Sequence, residues 1–269
     1  MGAHAGRIVL RLAAGGVLVF LYIPLAIIVL YAFNDAKSQS WPIEAFSLRW
    51  FGVALGNAKV RDAFLLSFQA ALGATTIALL LGSAAAFAVH RFRFFGRDTI
   101  SFLVVLPLAL PGIVTGMALN SAINFGIERG GPSFGLITII VGHATFCIVV
   151  VYNNVIARLR RIPRSMEEAS MDLGADSWQT FRYVTLPAIA TALVAGGLLA
   201  FALSWDEIIV TTFTAGTDET LPVWIFSNFR LPNFRPVVNV VALFLILLSA
   251  IPVYAAARLT GGSGQVGTR

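Results

Sequence analysis

The sequence predicts an all-α integral membrane protein with six transmembrane helices. Three observations carry that class. Of 269 residues, 58% are hydrophobic and only 12% charged, against about a quarter charged in soluble domains. Mean hydropathy is +0.83, and a chain of 28.8 kDa exposes too much surface to hide that many apolar residues from water. Six segments each carry the roughly 20 mostly apolar residues that a helix needs to cross a bilayer. Together these exclude a soluble enzyme, a disordered chain and a disulfide scaffold.

The segments fall at about 12–33, 64–89, 100–123, 134–156, 188–212 and 237–257. The first is too long for a signal-peptide core and no small-residue cleavage site follows it, so it is expected to remain as an uncleaved anchor. In the polar connection after it, Trp41, Phe46, Trp50 and Phe51 are expected at the outer interface, where amphipathic aromatics anchor. The third segment holds Pro107 and Pro111, which remove backbone donors and invite a kink. Gly112 and Gly116 stand four residues apart. Close helix packing and a cavity-lining bend are both open to them, with Asn120 and Asn124 following on one face. Cys147, the single cysteine, lies in the fourth segment and reads as a small buried hydrophobe. His90 and His143 read as structural.

Lys and Arg in the connections set orientation. Arg7, Arg11, Arg91, Arg93, Arg97, Arg158, Arg160, Arg161, Arg164, Arg182, Arg258 and Arg269 fall on one side, twelve of nineteen basic residues. Lys37, Arg49, Lys59, Arg61, Arg129, Arg230 and Arg235 fall on the other. Both termini are therefore expected in the cytoplasm. The net charge of +6 marks topology and membrane lipid rather than nucleic acid.

The connection at about 157–187 is the longest on the cytoplasmic side and has structure of its own. Ser165-Met166-Glu167-Glu168 has the form of a capping box, in which Ser165 accepts from the Glu168 amide and the carboxylate reaches back. A short helix follows, with Gly174 placed to end it in the left-handed conformation. Asp176 or Ser177 then caps a second short helix carrying Trp178 and Phe181, which Leu186-Pro187 stops. Two short helices joined by a sharp turn make a knob suited to a groove on a cytoplasmic partner.

Here the residues resemble a family. Glu168-Ala169-Ser170-Met171-Asp172-Leu173-Gly174-Ala175, then Val184-Thr185-Leu186-Pro187 with nine residues between Gly174 and Val184, is similar to the EAA loop of ABC importer permeases. Ser170 stands where that pattern has Ala, and Val184 where it has Ile. The resemblance implies the MetI-like fold of a type I ABC importer permease, with the coupling loop between the fourth and fifth spans. Glu168, Ala169, Ser170, Asp172, Gly174, Ala175, Phe181, Leu186 and Pro187 are then the ATPase-coupling residues. A phosphate-cradling G-x-x-x-x-G-K-[ST] loop is missing, and the two lysines, Lys37 and Lys59, sit outside. ATP and its Mg are thus expected on a partner chain, with no cofactor on this one. The resemblance also implies a second homologous permease, two ATP-binding subunits and an extracytoplasmic substrate-binding protein. The chain becomes one permease domain with a core of about 64–257, a peripheral first span and a flexible tail of about 258–269.

From Leu21-Tyr22-Ile23-Pro24 through Ser204-Trp205-Asp206-Glu207 to Leu221-Pro222, the chain resembles the spermidine/putrescine permeases of the PotC type. Asp206 lies 18 residues past Ala188, about 27 Å along a helix, in the outer third of the fifth span. A carboxylate deep in a bilayer costs about 2.5–3.5 kcal/mol, so an adjacent pair asks for a reason. On a continuous helix Glu207 shares a face with Ser204, Thr211 and Thr214, a polar stripe fit to line a water-filled path. Asp206 points about 100° away, toward a neighbouring helix or subunit. Trp205 beside them offers cation–π attraction to a polycation, and Asn120 joins the expected path. An outer-interface position for the pair, solvated or gripping a partner arginine, stands as the alternative. Another organic cation, a metal ion or an anion as cargo remains open, as does a secondary transporter, although no inverted repeat is visible. A G-x-S-G run at 261–264 reads as flexible tail rather than a protease site.

Overall fold

The structure, a computed structural model, describes residues 2–261. In chain order its elements are α1 (Gly2–Ala32), α2 (Arg49–Gly56), α3 (Ala58–Arg91), α4 (Arg97–Ala109), α5 (Gly112–Ile127), α6 (Leu136–Leu159), α7 (Ser165–Asp172), α8 (Ser177–Thr180), a π-turn (Phe181–Thr185), α9 (Leu186–Trp205), α10 (Ile209–Thr214), α11 (Leu221–Asn228) and α12 (Arg235–Gly261). Among the described residues five helices are long and apolar enough to cross a membrane, six if α4 and α5 form one bent span. Helix is the expected solution, because an open chain in lipid must satisfy its backbone within each segment. All but the first residue of the G-x-S-G run, and most of the expected tail, lie past Gly261, outside the described residues.

The third segment bends where its prolines invite a kink, and the fifth does not form the continuous helix expected. α4 and α5 meet at an angle of 106°. Pro111 caps α5 in an extended conformation (ψ 132°), and its missing N–H takes a donor out of the ladder there. The fifth segment stops at Trp205 and resumes at Ile209. At its other end Leu186-Pro187 does not stop the preceding helix. The Leu186 amide bonds to Phe181 O through the π-turn, and Pro187 then sits in the first turn of α9, where no amide donor is required.

The chain divides into two compact units. The first gathers the chain up to Arg61 with Trp224–Ile246. In it, α1 is apolar and exposed along nearly its whole described length, as a lipid-facing helix must be. The loop after it differs from expectation. Trp50 opens α2 and is buried, its Nε1 donating to Asp35 O at 3.1 Å. Phe51 packs between Phe33 and Phe244, at ring distances of 5.1 and 5.9 Å. Trp41 and Phe46 stay exposed. Trp50 and Phe51 are held in the unit because the indole N–H finds a loop carbonyl, which frees its apolar body for burial.

The second unit holds Asp62–Val223 with the chain from Leu247 onward. Its centre is α6, packed between α3 and α9. Ala70, Ala74, Ala78, Gly82 and Ala86 recur every four residues along α3, a ridge of small side chains that lets backbones approach. A Cβ on Gly82 would stand 2.8 Å from Ile148 O and 3.2 Å from Tyr152 N. On the other side Gly196 faces Val151 and Asn154, and Cys147 is buried with its Sγ on Ala200 O at 3.3 Å.

The Gly82 contact is against rigid backbone, so Gly82→Leu should overpack the α3–α6 seam by about 1–3 kcal/mol. We expect its Tm in detergent to fall by about 5 °C. Gly15→Leu, on a face with nothing within 4 Å, should leave Tm unchanged. Equal Tm for the two variants would contradict the close approach.

Candidate functional site

Two regions carry the sequence-predicted residues. The first is the knob expected on the cytoplasmic side. α7 begins one residue earlier than a Ser165 cap requires. Arg164 is already helical (φ −59°, ψ −29°), whereas a cap residue needs extended geometry to turn its side chain onto the amides. The Glu168 amide accordingly bonds to Arg164 O at 3.0 Å, and Ser165 lies inside the helix.

The far end of α7 follows expectation. Gly174 has φ +91°. The Gly174 amide donates to Met171 O (2.9 Å) and the Ala175 amide to Ser170 O (3.2 Å), the paired bonds of a Schellman stop. Asp176 caps α8, accepting from the Gln179 amide at 2.8 Å while its own amide donates to the Gln179 side chain at 2.9 Å.

The knob presents Glu168, Ala169, Asp172, Leu173 and Gly174 as exposed residues, with Ala175 half-buried. Ser170 Oγ lies 3.2 Å from Thr180 Oγ1, tying α7 to α8 through the hydroxyl that replaces a methyl in the resembled pattern. Phe181 stacks on Trp178 (5.7 Å) and meets Phe87 edge-on (5.5 Å). Leu186 and Pro187 are exposed at the start of α9. Sequence reasoning passed over Glu167, which bonds Arg91 and Thr185 at once. Its only sequence signal is a second carboxylate beside Glu168.

The second region is the interruption between α9 and α10. Asp206 is the C-cap of α9 (φ −103°, ψ 8°) and is exposed. Glu207 is half-buried, and its Oε1 accepts from the Val210 amide at 2.9 Å, so it caps α10. Two carboxylates therefore meet the carbonyl end of a 20-residue helix, where the last four C=O groups lack helical partners and the dipole is negative. That is a site for positive charge.

The polar stripe expected with Glu207 turns inward, because the helix ends before it. Ser204 and Thr211 are buried against α6. His143 Nδ1 lies 2.7 Å from Ser204 Oγ and its Nε2 lies 2.8 Å from Thr211 Oγ1. Thr211 Oγ1 spends its proton on Glu207 O at 2.9 Å, so it accepts from Nε2–H and Ser204 donates to Nδ1. One imidazole thus staples both sides of the interruption. Thr214 O accepts from Thr138 Oγ1 at 2.7 Å, and Phe213 O accepts from Asn120 Nδ2 at 2.7 Å. Asn120 thus braces α10 from α5. Gly116 allows that approach, since a Cβ there would collide with the Phe213 ring; Gly112 has only ordinary contact with Ile209. Trp205 is buried with its ring stacked on Phe201 (6.0 Å) and met by Phe64 (5.5 Å). His143 was legible only as a structural histidine; its two partners lie 61 and 68 residues away. Among the described residues no three His, Cys, Asp or Glu side chains come together as a metal-binding group.

Comparison with known proteins fits this geometry. Residues 78–260 match the family described as binding-protein-dependent transport system inner membrane component. The chain is 38% identical over 242 residues to the putrescine transport system permease protein PotI of Escherichia coli K12, covering 86% of this chain and 83% of that one. It is 32% identical over 267 residues to the spermidine/putrescine transport system permease protein PotC of the same strain, covering 95% and 98%. A solved bacterial alginate ABC transporter, in complex with its alginate pentasaccharide-bound periplasmic protein, superposes with a TM-score of 0.72 over 97% of this chain and 96% of that one, at 14% identity.

Removing the imidazole strands the buried Ser204 hydroxyl, at about 1–3 kcal/mol, and leaves Thr211 Oγ1 with only its bond to Glu207 O. His143→Phe, which fills the volume without the nitrogens, should therefore lower Tm in detergent by about 5–10 °C. An unchanged Tm would show that the staple is not what holds the interruption closed.

Proposed function

This chain belongs to the family of binding-protein-dependent transport system inner membrane components, and we propose that it conducts polyamines as one permease subunit of an ATP-driven importer. It is a multi-pass membrane protein and not itself an enzyme, since ATP hydrolysis belongs to a separate subunit in such importers. The proposed assembly adds a second, homologous permease, two ATP-binding subunits and an extracytoplasmic binding protein that delivers cargo. Both termini face the cytoplasm in this reading, on the side that collects twelve basic residues.

The interruption at Asp206–Glu207 carries the polyamine reading. Putrescine and spermidine, the cargoes named for PotI and PotC, are flexible chains of separated ammonium groups. They need fixed negative charge rather than a shaped pocket. The exposed Asp206 carboxylate, the second oxygen of Glu207 and the negative end of the α9 dipole supply it. Trp205 serves as a rigid wall here and offers no open ring, because cation–π attraction requires a free face and Phe201 and Phe64 occupy its surroundings. Asn120, Ser204 and Thr211 support the site by holding α10 in place.

At the other end of the same helix, the exposed row of Glu168, Ala169, Asp172 and Gly174 is proposed to dock in a groove on the ATP-binding subunit. Movement of that subunit then pulls on the knob. The π-turn joins the knob to α9 without a loop, so displacement passes into the helix that ends at Asp206. Nucleotide shifts the balance between inward- and outward-facing states through its differential contacts with them.

Charge-assisted contacts contribute about 1.5–3 kcal/mol each, so Asp206→Asn and Glu207→Gln should each reduce labelled putrescine uptake by cells about tenfold or more. The ATP-binding subunit should still copurify with both variants. Wild-type uptake by both would contradict the proposed cargo site.

A further inference from the structure

We propose that Glu167, the residue before the resembled motif, is the positioning residue that passes movement of α7 to α3 and α9. The inference rests on the docking role proposed for α7 and adds the link on the permease side. One Glu167 oxygen, Oε2, accepts from Arg91 Nη1 at 2.9 Å. The other, Oε1, accepts from Thr185 Oγ1 at 2.7 Å. Arg91 is the last residue of α3, and Thr185 is the last residue of the π-turn before α9. A single carboxylate therefore joins three elements at their cytoplasmic ends.

This clasp matters because packing does not do the same work. α7 has no buried residue. A cavity of about 260 Å³, bounded by Phe87, His90, Leu159, Arg164 and Met171 with the clasp, lies between α7 and the ends of α3 and α6. Ser170–Thr180 ties α7 only to α8. Without Glu167, α7 shifts into the cavity and leaves α3 behind. An ion pair as exposed as Arg91–Glu167 adds little to stability, so its value lies in geometry. Thr185 is buried, which fixes the second arm. The adjacent Glu168 is exposed, and its carboxylate makes no hydrogen bond among the described residues. The two carboxylates divide the labour: Glu168 faces the motor, and Glu167 faces the chain's own helices.

The test uses the full importer in proteoliposomes, with binding protein and ATP, and scores substrate transported per ATP hydrolysed. Glu167→Gln should keep the ATP-binding subunit bound while lowering that ratio about tenfold. Arg91→Glu should lower it as well. The exchanged pair Arg91→Glu/Glu167→Arg restores opposite charge, and a guanidinium at position 167 can donate to Thr185 Oγ1 in place of the bond the carboxylate accepts, so the ratio should recover most of its loss. A wild-type ratio in Glu167→Gln, loss of the ATP-binding subunit from it, or an exchanged pair no better than Arg91→Glu alone would overturn the proposal. Glu168→Ala separates the two readings. Retention of the ATP-binding subunit in that variant contradicts the docking role itself, whatever the clasp variants do.

Discussion

In hydrocarbon there is no water to complete a backbone hydrogen bond, so every place where a helix stops must bring its own substitute. That constraint organises this protein. The turn between α4 and α5 falls at Pro111, which has no amide to satisfy. The junction below α9 passes through a π-turn that moves the Leu186 bond to Phe181 O and delivers Pro187 where its missing donor costs nothing. The third interruption, after Trp205, is the most heavily braced. Glu207 caps the Val210 amide, Asn120 and Thr138 take the Phe213 and Thr214 carbonyls, and His143 holds Ser204 to Thr211. Irregular backbone within a membrane span is tolerated only where the protein supplies such partners.

The bracing depends in turn on close packing elsewhere. α6 supplies both His143 and Thr138, and it is held between the small-residue ridge of α3 and the glycines of α9. A rigid α3–α6–α9 body gives the interruption a fixed frame. In the proposed coupling the same body receives the pull of the knob, because the π-turn runs directly into α9. In that proposal force enters at a tightly capped pair of short helices and arrives at two carboxylates on the opposite end of one helix. The geometry is that of a lever whose far end is also the proposed place of contact with cargo.

Features built from neighbouring residues were legible in the sequence. Gly174 as a left-handed stop, Asp176 as a cap and the apolar lengths of the spans all depend on chemistry within a few positions. The Ser165 cap failed because the same local pattern permits a start one residue earlier, and Glu167 is drawn to Arg91, 76 residues away. The interruption after Trp205 carries no glycine or proline, and the β-branched run from Ile208 to Thr212 continues the apolar pattern. What breaks the helix is a set of partners on α5 and α6, and no periodicity in the segment itself records them. Trp50 and Phe51 likewise read as surface anchors until the fold supplies Asp35 O and Phe244.

The most direct measurement is accumulation of radiolabelled putrescine by proteoliposomes holding the assembled importer, with ATP and the binding protein added or withheld independently. The account predicts accumulation against a gradient only when both are present, suppressed by unlabelled spermidine and unaffected by a small anion. Accumulation without ATP, or ATP-driven import of the anion with putrescine excluded, would contradict it.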